Sequence, residues 1–99
     1  MTIKFDKDLA MLVGVNGAIV YVEISRLLQD NVGDPANYRM GFYWTKVSLK
    51  ELHEKLPFLS TSEIRTGIRN LEVANVLKEG CFGGGTRSKW YAIIKKFGG

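Results

Sequence analysis

Ser62, Arg65, Thr66 and Arg69 are the residues whose types and spacing carry the most chemistry in this sequence. At 100° per residue they fall on one arc of a helix, opposite Ile64, Ile68 and Leu71. Guanidinium groups read guanine edges in a major groove, and hydroxyls serve phosphates or bases. Read without their surroundings, the same four residues describe the solvated face of an ordinary amphipathic helix.

Other reactive types do not assemble into a site. His53 and Cys81 are the sole histidine and cysteine, so the common four-ligand zinc centres are excluded and no internal disulfide forms. Cys81 has no histidine beside it and reads as an inert thiol, and His53 as a half-buried surface residue. Glu51 and Glu54 resemble helix-surface charges rather than an acid–base pair. The glycines between Gly80 and Gly85 lack the Gly-Lys-Ser/Thr of a Walker loop and the strand-to-helix setting of a dinucleotide fingerprint. No catalytic residue, metal ligand or cofactor is expected, and the chain is not expected to be an enzyme.

The elements that position the basic arc follow from local signals. Ser48-Leu-Lys-Glu51 and Ser60-Thr-Ser-Glu63 are both capping boxes. The first opens a helix to about Leu56, with Leu49, Leu52 and Leu56 inward; Pro57 stops it. Pro57-Phe58-Leu59 forms a turn of about three residues, and the second helix runs from Thr61 to about Ala74. Asn75 suits a left-handed exit. Val76–Glu79 and Lys89–Lys95 read as two strands around a glycine-rich tip that carries Arg87. The expected architecture is α+β and mostly helical: a winged helix-turn-helix with the motif at 48–74 and a C-terminal β-hairpin wing at 76–95. Arg87 and Lys89 on the wing and Lys46 before the motif are then candidate phosphate contacts.

Upstream, Asp6 caps a short helix to Val13, with Leu9, Leu12 and Val13 inward and Gly14 ending it. Asn16 caps a longer helix to about Asn31, with Val20, Ile24, Leu27 and Leu28 as its buried stripe. Val32–Gly41 reads as a loop and Phe42–Thr45 as a short strand. Residues 1–99 form a single domain on this reading, with the N-terminal helices at 6–31.

Charge is uneven: residues 1–44 carry a balance of −1 and residues 45–99 one of +5, which points the second half at an anionic partner. The most apolar window, Leu9–Val22, is broken by Asn16 and is shorter than the roughly 20 residues of a membrane span. No membrane partner is expected, and a cytoplasmic setting fits the single cysteine.

Three stretches in order resemble the winged-helix domain of phage and plasmid replication initiation proteins, the replisome-organiser and DnaD-type N-terminal domain. They are Phe5–Ala10 with Gly14-Val-Asn16 and Ala18-Ile-Val20; Leu56-Pro-Phe58, Ser60, Ile64-Arg65 and Leu71-Glu72; and Arg87-Ser-Lys-Trp-Tyr-Ala-Ile93. The chain departs from that pattern at Leu59, Glu63, Thr66 and Thr86, where the family often has Trp, Thr, Arg and an acidic residue. Gly67 lowers helix propensity by roughly 0.5–1 kcal/mol relative to Ala. The resemblance implies binding of double-stranded DNA in replication initiation through Ser62, Arg65, Thr66, Arg69, Lys46, Arg87 and Lys89, with other replication proteins as further partners. Two alternatives share the fold. One is a transcriptional repressor. The other is a protein-interaction or homo-oligomerisation module, with Ala18–Val22 and Phe42–Trp44 as its surface.

Overall fold

Asp6 starts the first helix, α1 (Lys7–Asn31), by accepting the Leu9 N–H on its carboxylate at 3.0 Å. The computed structural model describes residues 5–80 and 88–97, the side chains of residues 36 and 88 excepted. The glycine-rich tip with Cys81, Thr86 and Arg87 lies outside the described residues. Hydrogen bonding carries α1 past Gly14 as one element, but Gly14 itself is non-helical (φ 84°, ψ 162°). The break expected there is therefore real, while the separate cap at Asn16 is not: its side-chain amide donates to the Glu63 carboxylate at 3.1 Å. Leu9 and Val13 point inward one turn apart, and Leu12 is exposed, contrary to expectation, because the buried stripe is only one side chain wide before the break. By length and composition α1 is apolar enough to cross a membrane, which the window Leu9–Val22 did not suggest; 44% of its most apolar stretch is buried inside the molecule.

The segment from Val32 to Ser48 differs most from expectation. A short 3₁₀ turn (Pro35–Asn37) leads into a two-stranded ribbon, β1 (Tyr38–Arg39) and β2 (Phe42–Tyr43), joined by Met40-Gly41 with both residues at positive φ. The single strand expected at Phe42–Thr45 is thus two. Trp44 is buried between β2 and β3 (Thr45–Ser48). Its indole N–H donates to the Arg39 carbonyl at 2.9 Å, and its own carbonyl accepts from Asn31 at 3.1 Å. Ala18, Val20, Tyr21 and Trp44 are buried in the fold itself, whereas Ile19, Val22, Phe42 and Tyr43 are partly exposed, so about half of the surface drawn through Ala18–Val22 and Phe42–Trp44 is core.

Both capping boxes form. Ser48 and Glu51 exchange hydrogen bonds at 3.1 and 3.2 Å to open α2 (Leu49–Lys55), and Ser60 and Glu63 do so at 3.1 and 2.9 Å to open α3 (Thr61–Val73). The turn between them is stapled by His53, whose Nδ1–H donates to the Leu59 carbonyl at 2.8 Å. Asn75 is left-handed (φ 60°) at the end of α3. Its N–H reaches the Glu72 carbonyl and the Val76 N–H the Leu71 carbonyl, which is a Schellman exit.

Beyond it, β4 (Leu77–Gly80) and β5 (Ser88–Ile93) pair antiparallel, and β3 adds to the other side of β5, giving the order β3-β5-β4. A helix-turn-helix followed by this strand pair is the α+β winged-helix arrangement. The core lies where α1 and α3 meet the inner face of the sheet, around Leu9, Ile24, Leu52, Ile64, Leu71 and Val76. Leu27, expected in the buried stripe with Val20, Ile24 and Leu28, and Leu49 of α2 are only partly buried beside it.

Candidate nucleic-acid interface

The inward row Ile64, Ile68 and Leu71 fixes the roll of α3, so Ser62, Arg65, Thr66 and Arg69 all project into solvent. The N-terminal end of the helix is held twice. Glu63 closes the capping box with one carboxylate oxygen and accepts from Asn16 of α1 with the other. The Ser60 backbone and side chain, with a smaller contribution from Asn16, hold its carboxyl below the usual range.

The exposed arc divides into two flanks. Ser62 and Thr66 border a shallow groove shared with Gly14, Asn16 and Gly17 of α1. Arg65 and Arg69 border a cleft of about 300 Å³ between α3 and the sheet, where they face Lys89 and Tyr91 of β5. The register explains this: Lys89 pairs with Val47 and Tyr91 with Thr45, so both β5 residues share the face turned toward α3.

Two carboxylates share the cleft that sequence reasoning did not include. Glu79 of β4 holds Lys89 at 2.9 Å, and Glu72 extends from the last turn of α3. Burial, with the nearby Glu79 charge, raises the Glu72 carboxyl above its ordinary range, offset in part by Lys89. Burial also pushes the Tyr91 phenol up to about 12. The signal was present in the strand period. Glu79 pairs with Tyr91, which places it diagonal to Lys89 on the same face.

Lys46 is not brought to this cleft. It pairs with Trp90, and the alternation of β3 turns both to the opposite face of the sheet. Arg87 belongs to the tip outside the described residues. Among the described residues no group of three metal-ligating side chains gathers.

In fold, the chain is similar to a solved structure described as the N-terminal domain of a DNA binding protein. The match has a TM-score of 0.72 at 12% identity and covers 100% of this chain and 78% of that one. No family model matches the sequence, and no curated protein does.

Proposed function

We propose that this chain is a winged-helix domain that binds double-stranded DNA through α3. The observation that carries the reading is the placement of Arg65 and Arg69, exposed on the helix that follows a capped turn and grouped with Lys89 of the wing strand. In this reading Arg65, Arg69, Ser62 and Thr66 face the major groove and Lys89 meets a phosphate once it leaves Glu79. Arg87 at the wing tip and Lys46 on the far face of the sheet serve as outlying phosphate contacts. The fold shared with the N-terminal domain of a DNA binding protein supports the same partner. The resemblance of Leu56-Pro-Phe58, Ile64-Arg65 and Lys89-Trp-Tyr to phage and plasmid initiators favours a role in replication initiation.

The test is fluorescence anisotropy of a labelled random-sequence duplex at ~50 and ~200 mM salt. With about four to six phosphate contacts, log K falls with log salt at a slope near −4 to −5. Replacing Arg65 and Arg69 together by Ala weakens binding at both salts. Absence of binding at ~50 mM salt, or an unchanged affinity in the double variant, overturns the assignment.

A further inference from the structure

A groove of about 580 Å³, to which α2 and α3 contribute no lining residue, runs between the C-terminal half of α1, the β1–β2 ribbon and the segment after β5. Five of the eleven aromatic residues line it: Tyr21, Tyr38, Phe42, Tyr43 and Phe97. Two tethers hold its walls. The Tyr21 hydroxyl donates to the Phe97 carbonyl at 3.1 Å and accepts the Phe97 N–H at 2.8 Å. On the ribbon, the Tyr38 and Tyr43 rings meet edge to face at 5.0 Å.

The ribbon contributes little to the core, yet its residues are the types enriched where proteins meet: Tyr, Arg, Met and Phe. Met40 sharpens the point. It occupies the first position of the tight turn at φ 52°, a conformation that costs a non-glycine residue about 1–2 kcal/mol. Asn or Gly would sit there without that strain, but the ribbon keeps a flexible apolar side chain, 66% exposed, at its tip. Tyr38 beside it is 50% exposed.

Charge selects the occupant. Among the described residues lining the groove, Lys96 is the one formally charged side chain and none is a carboxylate. Lys95 adds a second ammonium, 5.4 Å above the Phe97 ring. A second copy packed face to face would gather the lysines of both copies in one interface with no described carboxylate of the groove to offset them. We infer that the groove docks a short acidic segment of another protein, one whose bulky apolar side chains enter between the aromatic rings while its carboxylates meet Lys95 and Lys96.

The probe is a random-peptide display library panned on the whole chain, with the Tyr38→Ala protein as counter-selection. A selected peptide is then synthesised with a fluorophore and titrated by anisotropy into the wild type, Tyr38→Ala and Lys96→Glu. Both positions are exposed, so both variants fold, as circular dichroism checks. The expected consensus joins acidic residues to Phe, Trp or Leu. Its Kd weakens at least about tenfold in each variant, while duplex DNA affinity is unchanged in Tyr38→Ala. A basic or charge-indifferent consensus, no enrichment over the counter-selected protein, or an unchanged Kd overturns the inference. So does a dimer in sedimentation velocity that Tyr38→Ala abolishes, which gives the groove to a second copy. Loss of duplex affinity in Tyr38→Ala would give it to nucleic acid.

Discussion

Gly67 of α3 lies against Gly17 of α1 so closely that a Cβ on Gly67 would stand 3.2 Å from the Gly17 Cα and 3.4 Å from the Asn16 carbonyl oxygen. Both of those neighbours are backbone and give way poorly. Helix propensity alone makes Gly67→Ala stabilising by roughly 0.5–1 kcal/mol, whereas overpacking at a fixed helix crossing costs about 1–3 kcal/mol. The contact wins. Thermal unfolding of Gly67→Ala should show a Tm lower by about 4–8 °C, the shift of a net 1 kcal/mol in a domain of this size. A raised Tm would mean that the two helices slide apart freely.

His53 acts across the turn that sets α3 relative to α2. Removing its bond to the Leu59 carbonyl in His53→Ala should cost about 1 kcal/mol by chemical denaturation. His53→Asn, which keeps a donor near the Nδ1 position, should recover most of that loss. Equal behaviour of the two variants would reduce the side chain to a space-filler.

Glu79 restrains the wing lysine. Glu79→Gln frees Lys89 and removes a carboxylate from the cleft beside Arg65 and Arg69. Duplex affinity should rise several-fold, and the salt slope should steepen by roughly one unit as Lys89 takes a phosphate. Anisotropy titrations across salt concentration read both quantities. Weaker binding would instead make the ion pair a support for the wing.

Tyr91 should titrate late, well above the ordinary phenol range. Burial favours its neutral phenol, so the folded state holds the proton more tightly than the unfolded chain. The stabilisation is present in full below the ordinary value of 10.0 and is lost as pH rises toward about 12. Ultraviolet titration should resolve a late phenolate step that Tyr91→Phe removes, and alkaline unfolding of Tyr91→Phe should begin at higher pH than in the wild type.

The parts of the fold that sequence reading reached are those governed by a few neighbouring residues. Ser-x-x-Glu closes on itself within one turn, Pro57 has no N–H to continue a helix, and Asn75 tolerates the left-handed exit, so the helix-turn-helix and its ends were legible. The β1–β2 ribbon was not. Its turn is Met-Gly rather than Asn-Gly, and the run Phe-Tyr-Trp-Thr conceals that Trp44 leaves one sheet before Thr45 enters another. In the candidate interface, the helical arc was visible because its period is local. The positions of Lys46 and Glu79 depended on strand pairing between distant segments, which decides the face a side chain takes.

β5 is the last strand of its sheet to be synthesised and also its middle strand. During translation β3 leaves the ribosome some forty residues before its partner exists, and β4 waits as well. The capped helices and the α1–α3 contact are able to form as they emerge, but Val47 and Leu77 lack their neighbours in the sheet until β5 arrives. Closure of the sheet is thereby deferred to a late step, and in the interval the bare edges of β3 and β4 are open to chaperones or to strands from neighbouring nascent chains. A ribosome stalled before Trp90 would display an aggregation-prone intermediate rather than a smaller version of the domain.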